Sequence, residues 1–379
     1  MMKPWASKRR RNAVRDAEGM TKRRTFLRGT VLLAGGLGSG ASSPGFDLPE
    51  AGTNSENDSI TAVPGVRVGH FTDKRRPTGC TVVLFDGSAT AGVDVRGSAP
   101  GTRETDLLKP VNTVKKVNAI VLSGGSAFGL DSATGVMRFL EERGMGLKVG
   151  AVVVPIVPAA ILFDLGVGNP KIRPDADAGY QACRLATDDP VVEGCVGAGA
   201  GATVGKLFGM KNAMKSGIGS ASVRVGNTGI TVGAIVAVNA VGDIYDPHTG
   251  ALLVGARGTN GKTLVNAMSQ VVRGHGVRAS KGTNTTIGIV ATNATFTKTQ
   301  ATKIAQMSHD GFARTIRPVH TSFDGDTIFA ACTCTSPEQV DAGMIGAIGA
   351  EVMAEAVVRA VKSATSLPGL PCFRDLEGS

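Results

Sequence analysis

From Ile60 onward the chain falls into short β-rich runs punctuated by turn residues, interleaved with longer segments of helical period. Strands and long helices alternate irregularly, which predicts a layered α/β (α+β) architecture. Strand-like runs occupy 66–70, 81–85, 91–95, 119–122, 152–154, 230–238 and 328–331. Apolar residues at i, i+3, i+4 spacing predict helices over about 130–143, 175–185, 299–313 and 336–363. Segments 205–229 and 255–282, rich in Gly, Lys and Asn, read as loops or insertions.

At 379 residues, 42% of them hydrophobic, the chain can bury a large core. Its 52 glycines and 4% aromatic content favour tight turns and close backbone approaches over an aromatic binding surface. After residue 60 no apolar run is long enough to span a membrane. The net charge of +10 suggests nucleic acid until it is located. Residues 1–43 carry ten Lys/Arg against Asp16 and Glu18, which accounts for eight of those charges. The body is almost neutral, and nucleic acid is not expected as a partner.

That basic region reads as an address. Thr21 to Arg28 places paired Arg23-Arg24 before Phe26-Leu27, a twin-arginine pattern followed by a weakly apolar Gly-rich stretch and small residues at Ala41-Ser42-Ser43. Residues 1–43 are therefore expected to direct export to the periplasm or medium, with no membrane association afterwards, and 44–58 to be a linker. The six cysteines (Cys80, Cys183, Cys195, Cys332, Cys334, Cys372) fit neither a dense disulfide framework nor zinc spacing and are expected as free thiols.

The chemistry concentrates in two places. At Asn284-Thr285-Thr286-Ile287 a polar stretch runs straight into an apolar strand that begins with Thr285. The Thr285 hydroxyl can attack the Asn284 carbonyl, and the resulting ester then hydrolyses. The cleavage frees an α-amino group on Thr285 of ordinary pKa about 7.7–8.0, able to serve as a base. The second place is His320-Thr321-Ser322-Phe323-Asp324-Gly325-Asp326-Thr327, where two carboxylates flank a glycine at a strand entrance. Asp324 and Asp326 can reach one small volume and support Thr285, although Asp-Gly also makes a good turn. A calcium loop lacks further acidic ligands at suitable spacing, so no metal and no cofactor are expected.

These two segments, together with Asp94-Val95-Arg96-Gly97, Gly101 to Asp106 and Ser123-Gly124-Gly125-Ser126-Ala127-Phe128-Gly129-Leu130, resemble the self-cleaving peptidase family of L-aminopeptidase/D-esterases, β-aminopeptidases and endo-type 6-aminohexanoate (nylon) oligomer hydrolases. The resemblance runs from about residue 60 to 363. It implies a four-layer α/β/β/α sandwich cut into a large chain, 59–284, and a small chain, 285–379, and assembly of such two-chain protomers into tetramers or larger homo-oligomers. It further implies Thr285 as nucleophile, Asp324 and Asp326 as its acidic support, Lys206 as a site lysine and Asn239 as the amide facing the oxyanion. Phe163 stands where characterised relatives carry a tyrosine, so a phenol hydroxyl is missing from the pocket. Expected substrates are small peptides, amino-acid amides or amide oligomers. Acyl transfer by the same threonine is an open alternative. A more distant one is nucleotide binding, because Gly258-Thr259-Asn260-Gly261-Lys262-Thr263 resembles a phosphate loop with Ala256 where the first glycine belongs.

Overall fold

The computed structural model describes residues 57–261, 263–280 and 282–377. The twin-arginine segment and nearly all of the linker lie outside the described residues.

A nine-stranded mixed sheet dominates. Its strands are β1 (Val66–Thr72), β2 (Gly79–Val95), β3 (Thr102–Arg103), β4 (Lys116–Ser123), β5 (Ala159–Ile161), β6 (Ile218–Arg224), β7 (Thr231–Asn239), β8 (Thr285–Thr292) and β9 (Thr327–Cys332). They run in the order β6-β7-β8-β9-β2-β4-β5-β3, with β1 added on β2. Only β8–β9 and β4–β5 are parallel. The 17-residue β2 makes the sheet fold over itself. Its first half, 79–85, pairs with β1 and β4, and its second half, 90–95, pairs with β9, with a register shift after Leu84.

Alternation along each strand then fills three separate cores. Val83, Phe85, Ile120 and Leu122 face Ile235, Ala237, Ile287, Ile289 and Phe329 in the middle. The opposite face of the first half, Val82, Leu84, Ala119 and Val121, packs on helices α1 (Ser132–Glu141) and α2 (Ala176–Arg184). The opposite face of the second half, Val232, Ala234, Val236, Val290 and Ile328, packs on α3 (Lys298–Thr315) and α4 (Ala342–Lys362). The layers are therefore α/β/β/α, as expected. Phe329 is fully buried between the two halves of the sheet, so Phe329→Ala should cost about 3–5 kcal/mol.

Each long helix starts where a side chain can satisfy its free amides. Asp175 accepts from Ala178 N, Asp341 accepts from Met344 N, and Thr297 with Gln300 forms a reciprocal capping box. The cap at Asp341 corrects the expected start of the last helix, because 336–340 lie outside it. One further expectation fails: residues 218–224, read as loop, form β6. The strand expected at 152–154 is present, in an exposed hairpin with 147–149.

This topology converges three chain segments on one edge. β7 ends at Asn239, which pairs in register with Thr285 at the start of β8. Parallel to β8, β9 starts at Thr327 opposite Ile287, so 324–326 enter beside the same point.

Candidate active site

Thr285 is 2% exposed and Asn284 is wholly buried, unusual for polar residues leading out of a loop. The Thr285 hydroxyl donates to the Asn284 carbonyl oxygen at 2.5 Å. That oxygen also accepts the Gly325 N–H at 2.9 Å. Hydroxyl and polarising donor thus meet on the carbonyl of one peptide bond. Gly325 is required by space: a Cβ there would lie 2.5 Å from Ala99 O and 2.9 Å from Thr285 Oγ1.

The two aspartates are buried but held by different partners. Asp324 accepts from Thr321 N at 3.0 Å and from Thr321 Oγ1 at 2.5 Å, with Val241 N further off at 3.4 Å. Burial, and then the neighbouring Asp326 carboxylate, push its pKa up to about 6. Asp326 accepts from Thr286 N at 2.8 Å through Oδ1, and from the N–H and ring Nδ1 of His320 through Oδ2. Asp326 therefore grips the peptide that follows Thr285 and influences Asp324 by charge.

The backbone of 324–326 is zipped to the segment after β2. Arg96 and Gly97 N–H donate to Asp326 O, and Ala99 N–H donates to Asp324 O. That pairing accounts for the Asp94–Gly97 motif.

The structure brings Lys206 and Asn239 together. Lys206 Nζ donates to Asn239 Oδ1 at 2.8 Å, to Asn239 O at 2.9 Å and to Thr283 O at 3.3 Å. Burial lowers its pKa to about 7, against the opposing pull of Asp324, Asp164 and Asp326. Asn239 Nδ2 donates to Phe163 O at 3.0 Å and lies 3.5 Å from Thr283 O. The amide that joins the Thr285 hydroxyl on the Asn284 carbonyl is thus Gly325 N–H, not Asn239 Nδ2. Its signal was the glycine between two acids.

Phe163 lines a cleft of about 330 Å³ together with Val167, Lys206, Met210, Arg278 and Thr283. Its wall is anchored by Asp164, whose buried carboxylate accepts from Arg76, from Thr78 Oγ1 at 2.6 Å and from Gly125 N at 2.9 Å. Gly125 has φ +82°, a conformation that favours glycine, and this explains the Ser123–Leu130 motif that wraps the carboxylate. Neither Asp164 nor Arg76 was foreseen.

The phosphate-loop resemblance does not survive the geometry. Gly258 N–H donates to Thr263 O, Gly261 N–H to Gly258 O and Thr263 N–H to Asn260 Oδ1. Those amides are bonded within the turn, and the next helix starts only at Ala267. All six cysteines are free, with Cys195 and Cys334 half-buried and the others buried.

Comparison with known proteins agrees with this architecture. An uncharacterized aminopeptidase of Mycobacterium tuberculosis is 42% identical over 347 residues, covering 84% of this chain and 98% of that protein. The 6-aminohexanoate-oligomer endohydrolase of Kocuria sp. is 30% identical over 347 residues, covering 85% and 91%. In fold, the chain is similar to an L-aminopeptidase D-Ala-esterase/amidase of Ochrobactrum anthropi, described as a variant of the Ntn hydrolase fold. The TM-score is 0.64 at 19% identity, covering 86% of this chain and 92% of that one. A Burkholderia sp. β-aminopeptidase aligns with TM-score 0.59 at 22% identity, covering 82% and 87%. The model of peptidase family S58 matches residues 58–371, and the chain belongs to that family.

Proposed function

We propose that this chain is an amide-bond hydrolase that cuts itself between Asn284 and Thr285 and then uses the freed Thr285 as its nucleophile. The observation that carries the reading is the Thr285 hydroxyl seated on the Asn284 carbonyl, whose oxygen is simultaneously held by Gly325 N–H. Attack of Oγ1 on that carbonyl carbon forms an ester C–O bond and breaks the peptide C–N bond. The hydroxyl proton passes to the nitrogen, which leaves as the α-amino group of Thr285. Negative charge developing on the oxygen is met by the Gly325 amide. Water then hydrolyses the ester, freeing the Thr285 hydroxyl and leaving Asn284 as a C-terminal carboxylate.

The same hydroxyl, with that amine as base, attacks the substrate carbonyl and forms an acyl-enzyme that water resolves. Asp326 keeps the Thr286 peptide in place during both reactions. Lys206, brought to about 7 by burial, lies where it can exchange a proton close to neutral pH. The partly apolar cleft beside Phe163 suits short, largely linear acyl groups. Family membership and the aminopeptidase and oligomer-hydrolase relatives support amide substrates, from short peptides and amino-acid amides to 6-aminohexanoate oligomers.

The proposal extends to a two-chain protomer of 59–284 and 285–379, to its assembly into homo-oligomers, and to export by the twin-arginine sequence at Arg23-Arg24. Intact-mass analysis and N-terminal sequencing of the purified protein test the core of it. A fragment beginning at Thr285 is expected, and Thr285→Ala should give one uncut, inactive chain. Self-cleavage or normal amide hydrolysis by Thr285→Ala would place the nucleophile elsewhere.

A further inference from the structure

Two histidines stack behind Asp326 that the proposed reaction does not use. His320 has φ 55°, a left-handed conformation uncommon for a residue with a side chain. Two bonds to the same atom accompany it: the backbone N–H of His320 lies 3.1 Å from Asp326 Oδ2, and the ring Nδ1 lies 2.8 Å from it. The left-handed turn thus brings backbone and ring of one residue onto one carboxylate oxygen.

The other oxygen of that carboxylate accepts Thr286 N–H at 2.8 Å. With two backbone amides donating to it, Asp326 is an acceptor, so the ring nitrogen facing it carries the proton. The ring is fixed from behind by His309 on α3, at 4.8 Å between centroids in an edge-to-face pose. His309 is held in turn through Nε2, 3.1 Å from Asp94 O. A chain of contacts therefore runs from α3 through His309 and His320 to Asp326, and from there to the peptide next to the nucleophile.

We infer that His320 is a positioning residue: its ring N–H sets the orientation of the Asp326 carboxylate, which in turn sets the Thr285–Thr286 peptide for attack. This inference rests on the reading of Thr285 as nucleophile.

The roles of backbone conformation and ring donor can be separated. His320→Gly keeps access to φ 55° and removes the donor. His320→Asn keeps a side-chain N–H at nearly the same reach and is tolerated in the left-handed region. His320→Asp has the shape of Asn but faces Asp326 with an acceptor. Each full-length variant is followed for its self-cleavage rate after synthesis, and for kcat and KM on an amino-acid p-nitroanilide, with melting temperature measured alongside.

The Gly and Asp variants should lose about tenfold or more in both self-cleavage and kcat, the equivalent of one charge-assisted hydrogen bond, while KM moves less. Asn should recover most of that loss. Wild-type rates in His320→Gly, or equal loss in Asn and Asp at similar melting temperatures, would overturn the inference. If the Gly variant does not fold, the Asn–Asp comparison decides alone. Thr285→Ala, run in parallel, separates the two failures. If it stays uncut while His320→Gly behaves as wild type, only the role of His320 falls. If it cleaves, the underlying mechanism falls as well.

Discussion

Gly325→Ala puts the proposed self-cleavage to its most direct test, because one methyl group bears on both partners of the reacting bond. The added Cβ would meet Ala99 O at 2.5 Å, Thr285 Oγ1 at 2.9 Å and Ala99 C at 3.0 Å. Ala99 O cannot rotate away, since it belongs to the backbone zipped onto 324–326 through Ala99 N–H and Asp324 O. Relief must come from moving the 324–326 turn or the Thr285 hydroxyl. Overpacking of this kind costs about 1–3 kcal/mol. If the shift lengthens the Gly325 N–H contact with the Asn284 carbonyl, that range corresponds to about a 5- to 150-fold slower cut. Complete loss of an oxyanion donor would be worth about 10²–10³-fold. The assay is the rate of conversion of one chain into two, followed on denaturing gels and by intact mass. Gly276→Ala is the control, because its Cβ would meet nothing within 4 Å and its φ is not left-handed. Cleavage of a folded Gly325→Ala protein within about twofold of the control, less than the smallest overpacking cost allows, would refute the assignment of that amide as the donor.

Asp324 gives a pH signature with a definite sign. Its folded pKa lies near 6, above its ordinary value of 3.8; self-cleavage that needs the ionised carboxylate should therefore rise with pH through about 6. Over the same window the folded chain binds the extra proton, so the contribution of Asp324 to stability should fall as pH rises from about 4 to 6. Melting curves of Thr285→Ala with and without Asp324→Asn across that range check the stability half; an identical slope in both proteins would contradict it. Lys206→Met removes the buried ammonium from Asn239 Oδ1 and should lower turnover about tenfold or more, with melting unchanged or raised because burying that charge costs stability. Wild-type kcat and KM in that variant would leave Lys206 a packing role only. For export, replacing Arg23 and Arg24 together by Lys should retain the protein in the cytoplasm, and undiminished export would make the pair an ordinary basic segment.

The parts of the fold legible in the sequence are those where one residue pattern has one physical meaning. The capped helices over 176–184 and 298–315 are of this kind, as are the apolar strands at 231–239 and 327–332. β6 was missed because its residues obey a different constraint. Ile218–Arg224 lies inside the 205–229 segment read as a Gly-, Lys- and Asn-rich loop, yet a Cβ at Gly219 would lie 2.2 Å from Ala356 O and 2.4 Å from Ala360 N. The small residues are there so that α4 can rest on the strand, and nothing local in the sequence announces a helix more than a hundred residues away. Val152–Val154 is a strand, as its residues indicate, but lies outside the core. Its β propensity is real, but a hairpin with 147–149 satisfies it at the surface.

The site divides along the same physical line. Thr285 and the two aspartates can be read locally, since a polar loop ending at a buried strand and a pair of carboxylates at a strand entrance are short-range patterns. Lys206 and Asn239 are 33 residues apart and acquire meaning only when Nζ meets Oδ1; resemblance to a family could indicate them, but residue chemistry alone could not. Gly325, Gly125 and His320 were hardest, because their contributions are conformational: a missing Cβ, a left-handed turn, a backbone N–H pointed at one oxygen. Sequence identifies which groups can react. Under the proposed mechanism the selection among the many threonines of this chain comes from the backbone, where the entrance to β9 delivers the Gly325 amide to the Asn284 carbonyl and the β7–β8 register sets Asn239 opposite Thr285.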